Sequence, residues 1–257
     1  ISNKKVLGDY LKNKNFDIIF HLAAQAGVRY SVINPKKYIK TNLKGFRNIL
    51  HLFENKNFKT FFYASSSSVY GDTKLFPLRE NFKLNPKNLY AKTKIQNEKD
   101  ARKFKNIYKK NIVGLRFFTV YGEWGRPDMM ILKLLSCLKK DKIFELNNSG
   151  DHYRDFTYID DVTKILIKIL NKNFFKYDVY NICSSKPLFI KNVIKQFKNF
   201  TNYNLIKNVK KNKLDVYKTY GDNSRIKKLV NVNRYTDFKK GLLNTIKWYK
   251  NIGYKYF

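Results

Sequence analysis

The sequence predicts an α/β fold: a doubly wound parallel sheet followed by a smaller C-terminal α/β domain. Three observations predict it. Short apolar runs near residues 16–22, 60–64 and 112–118 read as buried strands, and segments with helical spacing separate them. Each run ends in a cluster of small or polar residues, as ligand-facing strand ends do in open parallel sheets. Beyond about residue 122 the regularity weakens, which marks the second domain.

In chain order, Phe16 to Leu22 forms the first strand, and Ala23, Ala24, Ala26 and Gly27 follow at its carboxyl end. Residues 35–55 read as a helix opened by Pro35, with Tyr38, Leu43, Phe46, Ile49, Leu50 and Phe53 at roughly helical spacing. Thr60 to Ala64 is the second strand and runs into Ser65, Ser66, Ser67 and Ser68. A polar, proline-containing loop leads to a helix over 88–109 and a third strand over 112–118. The pattern then gives a helix near 129–140, strands near 143–146 and 155–158, a helix over 160–171 and a strand over 179–182. Shorter elements lead to a final helix near 236–251. The predicted domains are 1–121, with returns to its sheet near 155–183, and 122–257.

Composition bounds the function. The 257 residues are 43% hydrophobic and 16% aromatic, enough to bury a substantial core. No apolar run is long enough to span a bilayer and no secretory signal is visible, so a cytoplasmic protein is expected, without membrane contact. Cys137 and Cys183 lie far apart, and the three histidines have no metal-ligand spacing, so neither a disulfide framework nor a metal is expected. Lys and Arg total 53 against 19 Asp and Glu, a formal charge of +34. The lysines are interleaved along the whole chain with Asn, Ile, Phe and Tyr instead of gathering on one face. That is a compositional bias, and no nucleic-acid partner is expected from it.

Tyr90 and Lys94 stand at i and i+4, one turn apart on one helix face. A phenol with an ordinary pKa near 10 is a weak base at neutral pH, and an adjacent cation favours its phenolate. The pair opens a helix shortly after a strand ending in hydroxyl side chains, which can bond the same substrate oxygen.

A Ser, Tyr and Lys set after two adjacent parallel strands resembles the short-chain dehydrogenase/reductase superfamily. Longer strings sharpen the resemblance: residues 21–31 (HLAAQAGVRYS), 63–71 (YASSSSVYG), 115–122 (LRFFTVYG), 124–129 (WGRPDM) and 154–161 (RDFTYIDD). Together they resemble the NAD-dependent nucleotide-sugar epimerases and dehydratases of its extended branch and, within it, the UDP-glucuronate 4-epimerases. The resemblance runs in order from about residue 8 to 252. It implies a Rossmann-like first domain, a C-terminal domain that binds the nucleotide sugar, NAD as cofactor and a UDP-sugar as substrate.

The implied reaction is 4-epimerisation through a 4-keto sugar. Tyr90 is then the base, Lys94 its neighbouring cation and ribose contact, and Ser66, four residues before Tyr70, the catalytic hydroxyl. Ser67 and Ser68 line the sugar pocket, although four consecutive serines leave that register open. Leu22, Ala23, Ala24, Ala26 and Ala64 lie along the cofactor, and Asn42, in Asn42-Leu43-Lys44-Gly45, orders the loops behind it. Thr119 and Arg126 meet the sugar carboxylate, a group that a guanidinium grips in bidentate fashion. Arg154 contacts the uridine diphosphate and Asp215 its ribose, with Leu214 standing where the family usually has Gly. The helices near 38–54 and 90–107 form a homodimer interface.

Two features limit the match. A 4,6-dehydratase needs an additional acid and base, and this chain has Ser67 and Ser68 where those enzymes carry carboxyl groups. No GxxGxxG turn occurs in the sequence, so an N-terminally truncated epimerase is expected, inactive as it stands. The alternatives are a UDP-glucose 4-epimerase or related enzyme, and a fragment that no longer binds NAD.

Overall fold

The computed structural model describes residues 1–256 and divides the chain into two compact units. The first comprises Ile1–Lys74, Arg79–Phe117 and Leu170–Asn181. The second comprises Leu75–Leu78, Phe118–Ile169 and Ile182–Phe257, of which the description covers all but the last residue.

The first unit contains α1 (Lys4–Leu11), β1 (Ile18–His21), α2 (Tyr30–Ile33), α3 (Pro35–Tyr38), α4 (Phe46–Leu52), β2 (Thr60–Ser66), α5 (Leu89–Tyr108) and β3 (Ile112–Phe117). Its sheet has the order β1, β2, β3, β7, where β7 is Val179–Ile182. The pairs β1/β2 and β2/β3 are parallel, with Ile18 opposite Thr60 and Ser65 opposite Arg116. Parallel neighbours require crossovers, and the helices between these strands supply them. The predicted helix over 35–55 is a run of α3, a π-helical segment over Ile39–Gly45, and α4. Such a π segment often marks a functional position, and here Asn42 lies within it.

Phe61 and Tyr63 of β2 are buried against Phe46, Ile49, Phe53, Ala101 and Phe104 of the flanking helices. Each such aromatic contributes about 1.5–3 kcal/mol on burial. Gly114 in β3 is required by this packing, since a Cβ there would stand 2.6 Å from the Tyr63 hydroxyl. After β2 the chain makes one 3-10 turn, Ser67–Tyr70, and leaves it at Gly71. There φ is +64° and a Cβ would lie 1.7 Å from the Asn85 carbonyl oxygen, so only glycine fits.

The second unit has a three-stranded sheet of order β4, β6, β8 (Thr119–Tyr121, Tyr153–Tyr158, Pro187–Phe189) and a parallel pair, β5 and β9 (Phe144–Asn147, Ile206–Val209). Its helices are α6 (Met130–Lys139), α7 (Ile159–Leu170), α8 (Ile190–Thr201), α9 (Ser224–Val230) and α10 (Phe238–Asn251). Tyr121, Leu134, Leu135, Phe156, Phe197 and Leu242 centre its core. The buried carboxylate of Asp155 accepts hydrogen bonds from Ser184 Oγ (2.8 Å) and Gly221 N (3.0 Å), joining three segments of this unit.

The structure differs from the sequence expectations in three places. The long part of the second unit runs from Phe118, with Leu75–Leu78 also in it, and the first unit takes back Leu170–Asn181. β6 pairs with β4 and β8, so it belongs to the second unit. Residues 190–201, read only as part of a series of shorter elements, form the 12-residue helix α8. Among the described residues no helix is long and apolar enough to cross a membrane, and no cluster of His, Cys, Asp and Glu could hold a metal ion.

Candidate active site

In the first unit the predicted residues gather where β1 and β2 end and α5 begins. Asn88 caps α5 by accepting from Ala91 N (2.9 Å), so Tyr90 falls in the first helical turn and Lys94 one turn on. Lys94 is 3% exposed, and its Nζ donates to the carbonyl oxygen of Ala64 at 2.8 Å. The same Nζ stands 5.9 Å from the Tyr90 ring centroid. Burial brings the Lys94 ammonium down to about 8, against the opposing attraction of Glu98. The edge of Tyr38 meets Tyr90, with ring centroids 6.3 Å apart.

Ser66 ends β2 with extended backbone, and its Oγ accepts from Ser68 N at 3.2 Å and donates to Ser68 Oγ at 3.2 Å. Ser67 and Ser68 are half-buried on the 3-10 turn. Ser65 differs from its neighbours. Like Ser66 it is buried, but its hydroxyl turns to the interior and donates to Glu98 Oε1 at 2.6 Å.

Leu22 and Ala23 are exposed just past β1, and Ala24, Ala26 and Ala64 are half-buried. Asn42 is 2% exposed, with its side chain committed to the protein. It accepts from Gln25 N (2.8 Å) and donates to Gln25 O (2.9 Å) and Thr93 Oγ1 (3.1 Å), tying the loop after β1 to α5. Tyr38 OH adds bonds to the carbonyls of Ala26 and Gly27, both at 2.7 Å. Asn42 therefore shapes the loop that carries Ala23 to Ala26.

His21 ends β1. Burial and the Lys94 charge bring its imidazole down to about 4, so it is neutral at physiological pH. Neither His21 nor the buried Glu98–Arg116 ion pair (2.7 Å) stands out in the sequence as part of this region. A charged Arg inside the apolar string 112–118, and a Glu one further turn beyond Lys94, are the signals that point to that pair.

In the second unit Thr119 and Arg126 line one cleft, together with Tyr121, Gly122, Met129 and Phe156. Arg126 donates to Asp128 through Nε (3.0 Å) and Nη2 (2.6 Å). Arg154 Nη1 donates to the carbonyls of Tyr153 (2.7 Å) and Tyr217 (3.3 Å). Asp215 accepts from Asn147 Nδ2 at 2.7 Å.

Residues 1–183 match the family model described as NAD dependent epimerase/dehydratase family. An uncharacterized protein of Methanocaldococcus jannaschii is 39% identical over 249 residues, which cover 95% of this chain and 75% of that protein. UDP-glucuronate 4-epimerase 4 of Arabidopsis thaliana is 35% identical over 270 residues, 97% of this chain and 61% of the plant protein. Among solved structures, UDP-glucuronic acid 4-epimerase from Bacillus cereus, in complex with UDP-glucuronic acid and NAD, matches with a TM-score of 0.88 at 27% identity. That match covers 96% of this chain and 78% of the Bacillus chain. The chain belongs to the NAD dependent epimerase/dehydratase family.

The residues present fit the nicotinamide-ribose end of NAD. Small side chains follow β1, and a buried ammonium spends one donor on Ala64 O, leaving others for hydroxyl groups.

Proposed function

We propose that the protein catalyses NAD-dependent 4-epimerisation of a UDP-sugar and that UDP-glucuronate, converted to UDP-galacturonate, is its substrate. The observation that carries this reading is the Tyr90–Lys94 arrangement: a phenol in the first turn of α5 beside a buried cation pinned to the end of β2. Bound NAD supplies the hydride acceptor and donor that inverts the sugar carbon.

Tyr90 takes the proton of the sugar 4-hydroxyl and gives it back after the 4-keto sugar has turned over. Lys94 stabilises the phenolate and holds the nicotinamide ribose. Ser66 bonds the same sugar oxygen, and its link to Ser68 sets the direction of its hydroxyl. Leu22, Ala23, Ala24, Ala26 and Ala64 lie along the cofactor, and Asn42 acts through the loop after β1. Ser67 and Ser68 line the sugar pocket, Arg154 holds the diphosphate and Asp215 the uridine ribose.

Glucuronate is favoured over glucose because Arg126 lines the cleft with a planar fork suited to a carboxylate, and binding would put the sugar's carboxylate in place of that of Asp128. Thr119, on the same cleft, adds a hydroxyl. The protein acts as a homodimer through the helices near 38–54 and 90–107, whose exposed Ile39 and Ile107 are suited to a partner surface. Comparing turnover of UDP-glucuronate and UDP-glucose tests the substrate. Higher kcat/KM for UDP-glucose would overturn the glucuronate reading.

A further inference from the structure

Tyr90, Lys94 and Glu98 occupy positions i, i+4 and i+8 of α5, a single face of three successive turns. Glu98 lies wholly inside the first unit. Its Oε1 accepts from Ser65 Oγ (2.6 Å) and Arg116 Nε (2.8 Å), and its Oε2 from Arg116 Nη2 (2.7 Å). Both side chains are buried, at 4% exposure for Arg116 and 6% for Glu98. Arg116 Nη1 donates onward to Tyr70 OH (2.9 Å) and the Glu80 carbonyl (3.1 Å), and Tyr70 OH to Asn181 Oδ1 (2.7 Å).

A buried ion pair is a poor source of stability, since desolvation offsets most of its attraction. What this one does is geometric and electrostatic. Lys94 bonds Ala64 and Glu98 bonds Ser65, so successive turns of α5 hold adjacent residues of β2, and Ser66 comes next. A slip of α5 by one turn, about 5.4 Å, would take Glu98 off both partners.

We propose that Glu98, clamped by Arg116, is a positioning residue for the Tyr90–Lys94 pair: it fixes the placement of α5 on β2 and supplies the counter-charge that Lys94 faces. The proposal rests on the reading of Tyr90 and Lys94 given above. The groups around Lys94 support it. His21, from β1, is neutral, and burial pushes Tyr63, from β2, well above the ordinary phenol range. Tyr38 contributes an aromatic edge beside Tyr90, and the Arg116 charge from β3 is taken up by Glu98. Among these groups Glu98 carries the negative charge, and its attraction opposes the burial that lowers Lys94.

The test is an NMR titration of the protein labelled in lysine side chains, without nucleotide sugar, with the Lys94 signal identified by its loss in Lys94→Met. Glu98→Gln is expected to move the Lys94 midpoint down by about one pH unit. A folded Glu98→Gln protein with an unchanged midpoint overturns the proposal. If the single variant fails to fold, Glu98→Gln combined with Arg116→Met removes the clamp without leaving a lone buried guanidinium, and a smaller downward shift of the Lys94 midpoint is still required of it. Because no turnover is involved, a catalytically inert protein that shows the shift fails the proposed function alone.

Discussion

Lys94 Nζ donates to the carbonyl oxygen of Ala64 at 2.8 Å, which ties the cation of α5 to the strand that ends in Ser66. A lysine ammonium is otherwise mobile on a four-carbon stem. Pinned in this way, it stands 5.9 Å from the centroid of the Tyr90 ring, at the carboxyl ends of two parallel strands.

Holding that ammonium in the interior has a pH signature. The folded value near 8 lies below the ordinary 10.5, so between them the unfolded chain binds more protons, and stability rises with pH. Relative to Lys94→Met, the wild-type protein should gain up to about 3 kcal/mol between pH 8 and 10.5. Urea unfolding of both proteins across that range checks it, and parallel profiles would refute it.

Asp155 gives the opposite sign in the second unit. Burial pushes its carboxyl up to about 6 from 3.8, against hydrogen bonds from Gly221 and Ser184. The folded state therefore holds its proton longer than the unfolded chain. That contribution is complete below about pH 4 and is lost as pH rises through 6, by about 3 kcal/mol. Asp155→Asn should lack this loss, which thermal unfolding at pH 4 to 7 measures.

Arg126→Ala should weaken UDP-glucuronate about tenfold or more, and UDP-glucose far less, because a charged hydrogen-bond pair contributes about 1.5–3 kcal/mol. KM values for both substrates decide it. Equal losses would remove Arg126 from the carboxylate.

Ile107, exposed on α5, should lie within the dimer face. Light scattering should report a dimer for the wild-type protein and a shift toward monomer for Ile107→Glu. A wild-type monomer would end the assignment.

The parallel sheet and the Tyr90–Lys94 pair were legible in the sequence because each depends on local spacing: apolar runs with punctuated ends, and a phenol and amine one turn apart. Sheet membership of β6 was not, since a strand-like run does not say which neighbours it will pair with. Helix α8 buries Ile190, Val193, Ile194 and Phe197 at helical spacing, yet Lys and Asn between them resemble the rest of this lysine-rich chain. The Glu98–Arg116 clamp joins residues from two elements, and only the register of β2 on β3 shows that Arg116 lies beside Ser65.

The most direct test of the account is conversion of UDP-glucuronate to UDP-galacturonate, followed by proton NMR with NAD present, in wild-type and Tyr90→Phe forms of the full-length protein. Conversion by the wild type, reduced by about two orders of magnitude or more in Tyr90→Phe with UDP binding retained, is the predicted result. Equal rates in the two proteins, or no conversion by a wild-type protein that binds both NAD and UDP-glucuronate, would contradict it.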